Sequence, residues 1–263
     1  MIDVINAQKI SELLNEKLKN KIKIEVLEKA TSTNTLVKEH ASEKDEGFVM
    51  VAGEQTAGRG RMGRSFFSPG DSGVYMSILL KPQIKPEDAV QITTAAAVSV
   101  CRALENLGVS DSKIKWVNDI FLNDKKVCGI LTESSFNSQK GMLDFAVLGV
   151  GINIYESEGG FPEEIKNIAG AVFTQRKEDL RNRFIAGFIN YFFGFYRELS
   201  SKKHMKEYKE KSFVLGKKIT VIQGEKTEKA KALDIDENCN LITEFSDGVI
   251  KKLYTGEISI KLT

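Results

Sequence analysis

Seventeen residues, GEQTAGRGRMGRSFFSP (53–69), constrain the fold of this chain more than any other stretch. Part of it, GRGRMG (58–63), fits the G-x-G-x-x-G dinucleotide pattern letter for letter. That pattern works where a helix follows the glycines, because the helix N-terminus receives the pyrophosphate. Here a Pro-Gly turn follows instead, and then the apolar run GVYMSILLK (73–81), which reads as a strand. Upstream, GFVMVAGE (47–54) is another apolar run ended by a turn. Strand–loop–strand therefore excludes a doubly wound dinucleotide fold built on this motif. No G-x-x-x-x-G-K-[ST] loop occurs, and a kinase glycine loop wants valine where Ser65 stands. What remains is a mobile glycine-rich loop carrying Arg59, Arg61 and Arg64. Gly58, Gly60 and Gly63 let its backbone come close to a ligand. Three neighbouring guanidiniums repel one another unless an anion sits among them, and phosphate suits the bidentate fork of arginine. A solvated basic loop or a nucleic-acid arm fits the spacing equally well.

The rest of the chain mixes strands and helices. Ile10, Leu13, Leu14 and Leu18 predict a short N-terminal helix. IKIEVLEK (22–29) alternates like a strand, and cap-type residues in TSTNTLVKEHA (31–41) precede a helix. KPEDAVQITTAAAVSVCRALENLG (85–108) predicts a strong helix, with Pro86 in its first turn and Gly108 as its stop. Strands follow around KIKWVND, at KVCGILTES (126–134) and at DFAVLGVGINI (144–154), the last two joined as a hairpin. A long helix spans 176–201, with Leu180, Phe184, Phe188 and Phe192 as a core stripe. Beyond Phe213 short strands and turns predict a small all-β barrel, which sets a boundary near residue 212.

A second cluster, KIKWVNDIFLNDKKVCGILTES (113–134), puts Trp116, Asn118 and Asp119 at a strand end and Lys126 and Gly129 on the next strand. Asp119 can hold Mg²⁺, which takes one or two carboxylates plus phosphate oxygens. Lys126 can place positive charge on a reacting carboxylate or phosphate. Trp116 can stack on a base or pack in the core. GVGIN (149–153) offers Gly149 and Gly151 for close backbone approach, or a β-bulge, and Asn153 for hydrogen bonds. TSTN (31–34) is either a helix cap or a set of donors for a polar ligand head.

Taken in order, STN (32–34), EQTAGRGRMGR (54–64), KWVND (115–119), KKVCGIL (125–131), GVGINI (149–154) and the terminal GEIS (256–259) resemble the biotin–protein ligase family. The arginine–glycine loop and KWVND carry most of that resemblance, which spans about residues 24 to 263. It implies an α+β fold: a mixed, mainly antiparallel sheet flanked by helices, of the class II synthetase-like kind, plus a small C-terminal SH3-like β-barrel. The catalytic part is then residues 1–212, with 1–21 as a short helical extension, and the β domain is 213–263.

The activity implied has two steps: ATP with Mg²⁺ activates biotin to biotinyl-AMP, and a lysine of a biotin carboxyl carrier protein takes the biotinyl group. By the same resemblance Ser32, Thr33, Asn34 and Gln55 bind the ureido head, and Gly58, Gly129 and Gly149 belong to the biotin site. Arg59, Gly60 and Arg61 lie on a loop that closes over the intermediate. Arg61, Arg64, Trp116 and Asn118 serve the nucleotide, Asn153 the adenine and Asp119 the metal. Lys126 bridges carboxylate and α-phosphate and is the main catalytic group, with Arg59 and Arg61 beside it. The family commonly has proline where this chain has Val117, which loosens that turn.

Bulk composition narrows the partners. A net charge of +2 does not advertise nucleic acid. Cys101, Cys128 and Cys239 form no C-x-x-C pair, which suits a reducing cytoplasm. His40 and His204 lie apart, without neighbouring ligand types. No apolar run approaches the ~20 residues of a membrane span. The expectation is a cytoplasmic monomer or homodimer that binds neither membrane nor DNA, since some family members carry an N-terminal DNA-binding domain and this chain begins its first strand near residue 22. The rival readings are a lipoate–protein ligase of the same fold and, more remotely, a nucleic-acid-binding module.

Overall fold

Apolar residues alternate along the strands of the first half of the chain, and the alternation places two different surfaces back to back. The computed structural model describes residues 3–254 and the backbone of 257–259. Two short helices, α1 (Ala7–Glu12) and α2 (Glu16–Lys19), lead into β1 (Lys23–Ala30), α3 (Thr33–Glu39), β2 (Phe48–Gln55) and β3 (Gly73–Leu80). After α4 (Val90–Glu105) come β4 (Lys113–Lys115), β5 (Asp119–Leu122), β6 (Lys125–Asn137) and β7 (Met142–Asn153). Then follow α5 (Leu180–Tyr196), α6 (His204–Glu210), β8 (Lys218–Gln223), β9 (Lys226–Ile235), β10 (Leu241–Phe245), β11 (Ile250–Leu253) and β12 (Glu257–Ser259).

The first seven strands form one sheet in the order β1-β2-β3-β7-β6-β5-β4. β1 and β2 run parallel, and every other pair is antiparallel. Val74, Met76, Ile78 and Leu80 of β3, with Leu148, Val150 and Ile152 of β7, face α4 and α5 and build the main core. The stripe on α5 is buried as expected, with Phe184, Phe188 and Phe192 stacked in sequence. Each buried phenylalanine contributes about 1.5–3 kcal/mol. The opposite face carries a smaller cluster, in which Val37 and Ala41 meet Met50, Leu79 and Val147 beneath α3.

The remaining strands form an antiparallel sheet in the order β11-β10-β9-β8-β12. The mixed, mainly antiparallel sheet and the separate β unit match the expected class. Several local expectations needed correction. The N-terminal helix is two helices; Asn6 caps the first by accepting from the Lys9 N–H. Pro86 sits in a 3₁₀ turn ahead of α4 rather than in it. The short α6 and β5 were not anticipated. Of GEIS, Gly256 lies outside the described residues and the rest forms β12. Among the described residues, no helix is long and apolar enough to cross a membrane.

Candidate active site

Register places small residues on the α3 side of the sheet. Tyr75, Gly151 and Gly129 stand in one cross-strand row, and Ser77, Gly149 and Leu131 in the next. Gly129, Gly149 and Gly151 belong to the lining of a cavity of about 490 Å³ there. Two features roof it: the loop between β2 and β3, and the segment holding Ile165, Asn167 and Ile168.

One end of the cavity is polar. Ser32 is the N-cap residue of α3, yet its hydroxyl makes no capping bond, and the residue lines the cavity. The Thr33 N–H donates to Gln55 Oε1 at 2.8 Å, and Gln55 Nε2 donates to Ser68 Oγ at 3.0 Å. Asn34 Nδ2 donates to Glu133 Oε2 at 3.0 Å. A carboxylate accepts and cannot donate, so this bond fixes which way the Asn34 amide faces. Asn34 Oδ1 is thereby aimed at Gly149, where an added Cβ would lie 2.1 Å away. The Ser77 hydroxyl lies 2.7 Å from Thr33 Oγ1 and 2.6 Å from Asn34 Oδ1, and its one proton serves one of them at a time. The inventory leaves one Gln55 N–H, the Ser32 hydroxyl and a lone pair on Asn34 Oδ1 for a ligand.

The other end is charged. Lys126 Nζ lies 2.6 Å from Asp119 Oδ1, an oxygen sealed from solvent and, among the described residues, otherwise without a hydrogen-bond partner. The same ammonium would lie 3.5 Å from a Cβ at Gly129. The Trp116 indole is nearly buried and donates to the Cys239 carbonyl at 2.8 Å. The Trp116–Val117 peptide bond is cis, and the Val117 carbonyl accepts from Tyr208 at 3.0 Å. Asp119, with Asp124 also in the lining, fits Mg²⁺, which takes one or two carboxylates and draws its remaining ligands from phosphates and water.

The arginine loop folds back on itself. The Phe66 N–H donates to the Gly58 carbonyl, the Gly60 N–H to the Arg64 carbonyl, and Arg59 bridges to Ser65. Its tip, Met62–Gly63, has left-handed φ values of 55° and 75°. Arg59 pairs with Glu133 at 3.1 Å, and Arg61 Nη1 donates to Asn118 Oδ1 at 3.0 Å. Phe66 lies over the glycine floor: a Cβ at Gly151 would meet its ring at 2.8 Å. Tyr75 anchors the loop's exit by donating to the Pro69 carbonyl, and burial pushes its hydroxyl up to about 12, so it stays neutral.

Fourteen of the expected site residues therefore line one cavity: Ser32, Thr33, Asn34, Gln55, Arg59, Gly60, Arg61, Arg64, Trp116, Asn118, Asp119, Lys126, Gly129 and Gly149. Two do not. Gly58 is where the loop crosses itself, and its Cβ would strike the Phe66 carbonyl at 2.4 Å. Asn153 turns away from the cavity: its amide donates to the Gly170 carbonyl at 3.0 Å and its carbonyl accepts from Val172. It pins the segment that roofs the cavity. Phe66, Tyr75, Ser77 and Glu133 escaped the sequence reading, because none belongs to a spaced motif and each gains its place from strand register or loop docking. Among the described residues, no group of three or more metal-ligating side chains occurs.

Two family models match the chain: "Biotin/lipoate A/B protein ligase family" over residues 26–153 and "Biotin protein ligase C terminal domain" over 214–261. The bifunctional ligase/repressor BirA of Bacillus subtilis is 33% identical over 227 residues, 82% of this chain and 66% of that protein. The chain thus spans just under two thirds of that relative's length. A biotin–[acetyl-CoA-carboxylase] ligase of Paracoccus denitrificans is 36% identical over 132 residues, 49% of this chain and 53% of that protein. Among solved structures, a biotin protein ligase from Aquifex aeolicus in complex with biotin and ATP is similar, with a TM-score of 0.73 at 27% identity. That match covers 92% of this chain and 99% of that one.

Proposed function

The chain belongs to the biotin/lipoate A/B protein ligase family, and from that premise we propose that it is a biotin–protein ligase. In the first step the biotin carboxylate attacks the α-phosphorus of ATP. An oxygen–phosphorus bond forms, pyrophosphate leaves and biotinyl-5′-AMP remains. In the second a lysine amine of a biotin carboxyl carrier protein attacks the mixed anhydride carbonyl; an amide forms, AMP leaves and the amine gives up a proton.

What carries the reading is the polar end of the cavity. A ureido ring offers two N–H donors and one carbonyl acceptor. The groups left open there are an N–H on Gln55, the Ser32 hydroxyl and an acceptor on Asn34. A dithiolane ring uses none of them, so lipoate would leave buried polar atoms unpaired, at about 1–3 kcal/mol each. Lys126 sits along the cavity from this end, where the acid's carboxylate meets the α-phosphate. Its charge offsets the repulsion between two anions, and electrostatics of this kind commonly supply 10²-fold or more. Asp119 would hold Mg²⁺, which supplies charge neutralisation to the phosphates. Arg59 and Arg61 hold the loop down, and exclusion of water protects an anhydride that hydrolyses readily. The adenylating unit is then residues 1–212 and the β unit 213–263.

Pyrophosphate release from ATP and Mg²⁺, with biotin or lipoate supplied separately, tests this. Release with biotin alone is expected. Equal silence with both acids sinks the ligase reading, and release with lipoate alone moves it to the sister activity. Lys126→Ala should lower the rate by about 10²-fold or more with the fold retained by circular dichroism.

A further inference from the structure

Glu133 stands on β6 one row beyond the glycine floor, opposite Val147. Its two carboxylate oxygens take different partners. Oε2 accepts from Asn34 Nδ2 at 3.0 Å, and Oε1 pairs with Arg59 Nη1 at 3.1 Å. Asn34 belongs to the polar head of the cavity and Arg59 to the loop that roofs it. The Glu133 side chain is 19% exposed, against 46% for Arg59, so the pairing sits at the edge of the enclosed space. Asn34 has one further donor contact, the Leu131 carbonyl at 3.4 Å, at the limit of a hydrogen bond. Without Glu133 the amide keeps only the Ser77 hydroxyl, which can accept as well as donate, and the long Leu131 contact, so a flip that turns Nδ2 toward the ligand is far less opposed.

We infer that Glu133 is a positioning residue that couples recognition of the acid's polar head to closure of the arginine loop. Resting on the ligase reading above, this assigns one oxygen to each task. The Oε2 contact holds Asn34 Oδ1 toward the cavity as an acceptor for a ring N–H. The Oε1 contact holds Arg59, and with it the loop, over the bound intermediate. A head group that seats well against Asn34 keeps Glu133 in place, and Glu133 in place keeps the loop shut. Substrates lacking the N–H donors lose the first link and loosen the second.

The two tasks separate on substitution. In Glu133→Gln the amide oxygen still accepts from Asn34, but the charge that holds Arg59 is gone. The KM for biotin should stay within about twofold, while biotinyl-AMP escapes from the enzyme roughly fivefold faster, the size expected of a half-exposed ion pair. In Glu133→Ala both links are lost. The KM for biotin should then rise roughly tenfold, because a charge-assisted bond that orients a buried amide is removed. Arg59→Met should reproduce the fast escape of Glu133→Gln. Wild-type pyrophosphate release with biotin is measured first; silence there overturns the ligase reading and this inference with it. With the wild type active, equal KM values for Glu133→Gln and Glu133→Ala, or unchanged retention in Glu133→Gln, overturn the coupling alone. Should Glu133→Ala fail to fold, Glu133→Gln alone decides: unchanged retention of biotinyl-AMP overturns the coupling.

Discussion

A Cβ on residue 149 would lie 2.1 Å from Asn34 Oδ1 and 2.9 Å from its carboxamide carbon. Glycine in a strand interior ordinarily costs about 0.5–1 kcal/mol relative to alanine, so the backbone would welcome the change. The site would not. Gly149→Ala must push Asn34 off Ser77 and Glu133, the two partners that fix its amide. We expect the KM for biotin to rise at least about tenfold, from loss of bonds worth about 1.5–3 kcal/mol, with the melting temperature within a few degrees of wild type. Steady-state kinetics beside a thermal melt check this; an unchanged KM would remove Asn34 from head recognition. The sequence announced that something comes close to the backbone at Gly149 and Gly151. It did not say what. The close neighbours are the protein's own Asn34 and Phe66.

At the scale of elements, the loop between β2 and β3 is seated by the Phe66 ring as well as by its arginines. Phe66 rests on Gly129 and Gly151 and meets Tyr75 edge-on at 6.4 Å between centroids. Phe66→Ala should leave the sheet intact and unseat the loop, since residues 58–66 are tied mainly to one another. Retention of biotinyl-AMP, followed by gel filtration of labelled intermediate, should shorten by about tenfold, as expected when roughly 1.4 kcal/mol of loop packing is lost. Retention equal to wild type would show that the arginine contacts alone hold the loop. This is also where sequence reading reached its limit. Strands, the hairpin of β6 and β7 and the long helices were legible because apolar spacing is a local signal. Lys126, Asp119 and the arginines were legible because charged and glycine residues cluster along the chain. Phe66 looked like any apolar loop residue and Glu133 like an exposed strand position; loop docking set Phe66 on the glycine floor, and cross-strand register brought Glu133 to Asn34. The bond from Asn153 to the Gly170 carbonyl was equally invisible, because no spacing rule links the two residues.

For the molecule as a whole, the two sheets share one core, and His204 lies behind both. The main cluster runs from the seven-stranded sheet through Cys239 to Ile219, Val221 and Leu241 of the β unit. Polar links cross the same boundary: Trp116 to the Cys239 carbonyl and Gln91 to the Glu237 carbonyl, at 2.8 and 3.0 Å. His204, at the start of α6, is 1% exposed and sits 2.9 Å from Thr94 Oγ1 and edge-on to Phe195. The Thr94 hydroxyl also lies 3.1 Å from the Gln91 carbonyl, so a neutral imidazole has a polar partner in either tautomer. Burial with no carboxylate in contact pushes His204 from 6.5 down to about 4. The unfolded chain therefore takes up a proton near pH 6.5 that the folded chain refuses until about pH 4. Stability is fully present above 6.5, falls as the pH drops through that window, and levels off below it. The loss from this one group is about 3 kcal/mol. Urea midpoints at pH 7.5, 5.5 and 4 should show it. His204→Gln, which keeps a donor for Thr94 and does not titrate, should flatten the fall by that amount while other acid-sensitive groups remain. Parallel curves for the two proteins would mean that the imidazole charges freely inside the fold, and that the packing of α6 against α4 opens to water well above pH 4.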